Sequence, residues 1–239
     1  MGLPAGLARH PGRALDRDRP AVRGADAPRS APSNRRRAAE HVSPTSLRLV
    51  AHGHTTALRR ARFGGTNDGL DEGGLRAALA QASAASGRRG HLRVDDACLS
   101  SPEAAATQTA DALGLLPTVE AALADCDYGD WAGRSFEEIA AEQPQSLHEW
   151  LSTPDSAPHG GESVATVRDR VGRWLDGQRT RGQRIIAVAH PLVIRVAVVH
   201  ALDLPTATYR QLDVEPLAII RLTSQGARWQ LRLSAPRAG

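Results

Sequence analysis

The stretch Leu47-Arg48-Leu49-Val50-Ala51-His52-Gly53-His54-Thr55 decides how this chain is read. A short apolar run broken by His-Gly has the character of a buried strand that delivers a histidine to the rim of a sheet, where open α/β folds bind their ligands. A second run, Ile185-Ile186-Ala187-Val188-Ala189-His190-Pro191, ends the same way. The rest of the chain reads as what brings His52 and His190 together and what surrounds them.

Working outward, strands alternate with helices. The strand at 47–51 leads into a polar loop with Arg59, Arg60, Arg62 and Gly64-Gly65, and a helix is expected over about 74–86. A short apolar segment, Ala97-Cys98-Leu99, runs into Ser100-Ser101-Pro102 and an Ala-rich helix that ends at Gly114, with Pro early and Gly late as helix boundaries prefer. An Asp- and Gly-rich loop over 123–133 is followed by Ser135-Phe-Glu-Glu138, a capping-box start to a helix expected to stop before Pro144. Val164, Val167, Val171, Trp174 and Leu175 form one stripe at helical spacing. The strand at 184–189 comes next, then an apolar helix from Pro191 to Leu202, then strands near 217–222 and 228–233. This alternation predicts a three-layer α/β/α sandwich around a mostly parallel sheet.

The chain has 239 residues, 41% of them hydrophobic, enough for a sizeable core in one domain with a tail. No apolar run is long enough to span a bilayer, so no membrane partner is expected. The pI of about 9.9 suggests nucleic acid at first sight. The charge is unevenly placed, however. Residues 1–46 hold nine arginines against four acids, a balance of +5, and the whole chain is +4, so the remainder is −1. Basicity belongs to the tail, which also carries six prolines and no apolar periodicity. Residues 1–46 are therefore expected to be disordered and 47–235 to form the domain. Every basic residue of the chain is arginine, which points to compositional bias more than to a nucleic-acid partner. Two cysteines, Cys98 and Cys126, without a secretory signal fit a reducing cytoplasm.

The motifs of residues 47–233 resemble, in order, those of the histidine phosphatase superfamily, the phosphoglycerate-mutase-like fold. The family's Arg-His-Gly-x-Thr appears as Ala51-His52-Gly53-His54-Thr55. Its Ser-x-x-x-Arg-Ala-x-Gln-Thr-Ala helix appears as Ser101-Pro-Glu-Ala-Ala105-Ala106-Thr107-Gln108-Thr109-Ala110. Its Glu-x-x-x-Gly-x-Trp-x-Gly loop is echoed by Asp125-Cys-Asp-Tyr-Gly129-Asp-Trp131-Ala-Gly133. Gly160-Gly161-Glu162-Ser163 matches without change, and Ser-His-Gly-x-Val-Ile-Arg appears as Ala189-His190-Pro191-Leu192-Val193-Ile194-Arg195.

The resemblance implies a phosphohydrolase acting on a small-molecule phosphate ester, without metal or organic cofactor. His52 would be the nucleophile that becomes a phosphohistidine, splitting one difficult displacement into two easier ones. His190 would be a cationic donor to the phosphoryl oxygens. Asp125 is the aligned proton donor for the leaving alkoxide. Gly53, Arg59 and Arg62 are the candidates for holding substrate. His52 and His54 also form a His-x-His pair of the kind metal-dependent hydrolases use, but no further ligand spacing accompanies them.

Two departures stand out. Ala51 and Ala105 occupy positions where active relatives place phosphate-binding arginines. If each contact is worth roughly 1.5–3 kcal/mol, losing both costs about 3–6 kcal/mol, or about 10²–10⁴ in rate or affinity. Pro191 also replaces a glycine and removes a backbone N–H beside His190. The second reading is therefore a catalytically weak or inactive relative that binds a phosphorylated ligand or a protein partner through the same pocket.

Overall fold

The computed structural model describes residues 43–64, 68–85, 96–224, 226 and 228–233. In chain order these form β1 (Thr45–Ala51), α1 (Thr56–Arg59), α2 (Glu72–Ala85), β2 (Ala97–Ser100), α3 (Ala104–Ala112), β3 (Thr118–Val119), α4 (Phe136–Glu142), α5 (Pro144–Ser152), α6 (Val164–Gln178), β4 (Arg184–Ala189), α7 (Pro191–Ala201), β5 (Ile219–Ser224) and β6 (Trp229–Arg232). Residues 1–42, most of the segment for which disorder is expected, lie outside the described residues. Of that segment, Thr45 and Ser46 already belong to β1.

The strands make one sheet in the order β3-β2-β4-β1-β5-β6. The first four of these run parallel, and β5 is antiparallel to both β1 and β6. Strand alternation then divides the apolar residues between two faces. Leu47, Leu49, Ala51, Ile185, Ala187 and Ala189 pack with the apolar sides of α6 and α7. Val50, Ile186 and Val188 pack with Ala106 and Ala110 of α3. The three-layer α/β/α sandwich follows from this division. Leu47, Leu49 and Ile186 are fully buried, and each such side chain contributes about 1.5–3 kcal/mol of hydrophobic stabilisation.

Register is what positions the site. Leu47 is level with Ile185 and Ala51 with Ala189, so the next residues, His52 and His190, leave adjacent strands at the same height. The His52 N–H still donates to the Ala189 carbonyl at 3.1 Å. On the other side of β4, Ser100 is level with Val188, which brings Ser101 to the same edge.

Local signals account for the helices around that edge. The Ser135–Glu138 capping box is formed in both directions, and the Ser163 side chain accepts from the Thr166 N–H to start α6. Pro191 opens α7, where its missing N–H would have had no helical partner. The helix expected to stop before Pro144 does so, α4 ending at Glu142. A further helix, α5, which the sequence reading did not place, starts on that proline and buries Leu147 and Trp150. Strand β3 has no counterpart in the sequence reading because both of its residues are exposed and leave no burial pattern.

Two glycines join the loops that flank the site. A Cβ on Gly129, which has φ of +46°, would strike the His159 carbonyl, and one on Gly161 would strike that of Asp127. Backbone therefore packs directly on backbone between residues 127–129 and 159–161.

Candidate active site

His52 is buried, 5% exposed, at the end of β1. Its Nδ1 lies 2.7 Å from the Gly53 carbonyl oxygen, and only a ring N–H can complete that bond. The proton is thereby assigned to Nδ1, and Nε2 keeps its lone pair. Burial, then the charge of His190, lowers the His52 pKa to about 4. The ring is a neutral imidazole at physiological pH.

Gly53 serves this arrangement through its backbone. Its carbonyl orients His52 while its N–H donates to Thr109 Oγ1 at 3.0 Å, and Thr109 Oγ1 donates in turn to the Ala105 carbonyl at 2.6 Å. The N–H of Gly53, one of the substrate-holding candidates, thus ties β1 to α3. Added bulk would also crowd Leu70 and the Gly74 carbonyl.

The ring of His190 sits 4.7 Å from that of His52 at an interplanar angle of 64°. Both of its nitrogens meet carboxylates, Nδ1 with Asp125 Oδ2 at 3.3 Å and Nε2 with Glu103 Oε2 at 3.2 Å. Burial pulls its pKa down, but the charge of Asp125 and the hydrogen bond and charge of Glu103 outweigh this and raise it. The His190 charge favours the Asp125 carboxylate, but burial outweighs it and raises the Asp125 pKa. Glu103 accepts from Ser101 Oγ, from His190 and from the Asp125 N–H at 3.3 Å. Burial pulls its pKa up, but the bonds from His190 and Ser101 and the His190 charge outweigh this and hold it at about 2. Glu103 is thus the ionised partner of a His190 cation, and Asp125 is the carboxyl with the elevated pKa.

Asp125 is held from behind. Arg170 of α6 donates to the Ala122, Ala124 and Asp125 carbonyls and grips Glu162 through Nε at 3.1 Å and Nη2 at 2.7 Å. Glu162 Oε2 also accepts from the Asp127 N–H. Glu162 of Gly160-Gly161-Glu162-Ser163 therefore fastens the acid-bearing loop to α6.

These groups border an open cavity of about 1280 Å³ that His52, Glu103, Ala105, Asp125 and His190 line. Arg59 and Arg62 line it too, with their guanidinium groups engaged elsewhere. Arg59 pairs with Asp71, and Arg62 donates to the Gly133 carbonyl at 2.6 Å and lies 3.9 Å from Glu138. All four arginines of the lining have a carboxylate within 4.0 Å, the other two being Arg170 with Glu162 and Arg195 with Asp213. Ala51 is not in the lining. It is fully buried in the apolar layer toward α6 and α7, whereas Ala105 faces the cavity.

Among the described residues no three His, Cys, Asp or Glu side chains are arranged to hold a metal ion. His54 borders the cavity, and His200 pairs with Asp176 at 3.2 Å. Cys126 is buried and its thiol pKa is pushed up, mainly by that burial, leaving it protonated. His159 is enclosed by Tyr128, Trp131 and Trp150. The sequence reading did not single out Glu103, Arg170 or Thr109. The one available signal was their place within or just after matched motifs.

Two parallel strands thus end in paired histidines, His52 with its proton on Nδ1 and His190 between two carboxylates. Residues 47–235 match the model of the histidine phosphatase superfamily (branch 1), and the chain belongs to that family. It is 33% identical over 190 residues to the bifunctional protein Rv2228c of Mycobacterium tuberculosis, covering 77% of this chain and 52% of that one. The chain thus spans about half the length of that relative. It is 28% identical over 174 residues to the glucosyl-3-phosphoglycerate phosphatase of M. tuberculosis, covering 68% and 78%. The solved structure of mycobacterial glucosyl-3-phosphoglycerate phosphatase with VO3 superposes with a TM-score of 0.68 at 26% identity, covering 79% of this chain and 97% of that one. A putative α-ribazole-5′-P phosphatase from Escherichia coli shares the fold, with a TM-score of 0.71 at 21% identity, covering 81% and 97%.

Proposed function

We propose that this chain hydrolyses a small-molecule phosphate monoester through a phosphohistidine at His52. The observation that carries the reading is the Nδ1 contact of His52 with the Gly53 carbonyl, which leaves the lone pair on Nε2 of a ring that lines the cavity. Nε2 attacks phosphorus and the bond from phosphorus to the ester oxygen breaks. The departing oxygen takes the Asp125 proton. Asp125, now a carboxylate, accepts a proton from water as the water attacks the phosphohistidine, which releases phosphate and restores both groups. His190 supplies positive charge beside the reacting centre.

The relatives named for glucosyl-3-phosphoglycerate phosphatase favour a small organic phosphate as substrate. Free thiols at Cys98 and Cys126 suit the reducing cytoplasm, and no described helix is long and apolar enough to cross a membrane.

A second reading, binding of a phosphorylated ligand without turnover, is favoured by one observation: Glu103 occupies the Nε2 side of His190. The two readings part on a direct test. The full chain is incubated with a panel of phosphate esters, quenched in base and analysed by peptide mass spectrometry. Phosphohistidine on the His52 peptide, with turnover lost in His52→Ala, is the expected result. Equal rates in wild type and His52→Ala, with no phosphopeptide, would overturn catalysis.

A further inference from the structure

Glu103 lines this pocket and partners His190, yet takes no step in the proposed chemistry. It stands at the N-cap of α3, yet its side chain makes no capping bond to that helix and turns into the cavity instead. Three donors fix it there: the Ser101 hydroxyl, Nε2 of His190 from the start of α7, and the Asp125 N–H from the loop that Arg170 of α6 secures. Two other titratable groups face it, His52 at the end of β1 and the Asp125 carboxyl, each sensing its charge. Its own backbone N–H adds a further favourable contact, and the carboxylate has no hydrogen of its own to give.

A phosphoryl group approaching His52 therefore meets a fixed anion on the flank where His190 is its cation. An ionised carboxylate can only accept hydrogen bonds. A bare phosphoryl oxygen beside it finds repulsion and no bond. An oxygen that carries a hydrogen can donate to the carboxylate. We propose that Glu103 is a specificity-determining residue that admits a phosphoryl group bearing a P–O–H and refuses a fully ionised tetrahedral anion.

The inference rests on the phosphatase reading for its substrate class. For a phosphate monoester the admitted form is the monoanion, which predominates below the second phosphate pKa of about 6. His52 remains unprotonated down to about 4, so nucleophile and admitted substrate coexist in the interval between.

Inorganic phosphate and sulfate separate the two properties. They have the same shape, but at neutral pH phosphate retains at least one hydrogen and sulfate none. The full chain and Glu103→Gln are titrated with each anion by calorimetry at about pH 6. Wild type is expected to prefer phosphate by about 10–100-fold, the effect of one charge-assisted bond gained against one lost. The Glu103→Gln amide can donate to either anion, so the preference should shrink below about 3-fold. Equal binding of the two anions by wild type, an unchanged preference in Glu103→Gln, or binding of neither anion by either protein would overturn the proposal. If the Gln variant lacks a cooperative melting transition, the wild-type contrast decides alone. Phosphohistidine at His52 together with equal sulfate and phosphate binding would remove this role of Glu103 and leave the phosphatase reading standing. A phosphate preference without phosphohistidine would do the reverse.

Discussion

Oδ2 of Asp125 lies 3.3 Å from Nδ1 of His190, so the proposed proton donor and the cation of the pocket are held as one unit. Asp125→Asn keeps the shape and removes the transferable proton. Its kcat should fall by about 10²–10⁴, the usual worth of general acid catalysis, with KM changed far less. A leaving group that needs no proton, such as p-nitrophenolate, should reduce the loss. Steady-state kinetics on an alkyl and an aryl phosphate check this, and equal losses on both would contradict the assignment.

The two alanines that replace arginines are not equivalent. Ala105 borders the cavity, so Ala105→Arg adds a cation beside Glu103 and His52, and kcat/KM should rise by about 10–100-fold. Ala51 is fully buried in the apolar layer. Ala51→Arg should lower stability by several kcal/mol, roughly 3 or more, by burying an unpaired charge. Activity assays and thermal melts on the two variants give opposite signs if the placement is right.

Arg170 acts through the loop it secures. Arg170→Ala frees three carbonyls and Glu162 and should destabilise the fold by about 2–4 kcal/mol. Arg170→Lys cannot reproduce a five-donor fork and should recover less than half of that. If Arg170 positions Asp125, the variants that fold should lose kcat more than KM and show an altered acid limb in the pH–rate profile. A purely structural role would move only the melting temperature.

His52 sets one term in the pH dependence of stability. Its pKa is about 4 in the folded chain against about 6.5 unfolded, so the unfolded state binds more protons in that interval. Its contribution is complete above about 6.5 and is lost as pH falls toward 4, by at most about 3 kcal/mol. His190, whose pKa is raised, works in the other direction, stabilising below its unfolded value and losing that as pH rises through its folded value. Denaturant titrations at about pH 7 and 4.5 should show a smaller acid loss for His52→Gln than for wild type.

Much of this was legible in the chain. The apolar runs 47–51 and 185–189, each closed by a histidine, were enough to place two strands side by side, and Ser135–Glu138 and Ser163 marked helix starts that the structure contains. Pro144 marked the end of α4 correctly, and α5 went unread because a proline that ends one helix also suits the first turn of the next.

Strand and helix periods, caps and motif order are local properties, and the sequence by itself determined the sandwich, the family and the pairing of His52 with His190. Only the tertiary structure decided which charges meet. Glu103 and His190 are 87 residues apart and touch because β2 and β4 align Ser100 with Val188. The same alternation turns Ala51 into the core while α3 turns Ala105 into the cavity. No local pattern records such contacts, because they depend on register and on how the helices pack over each face.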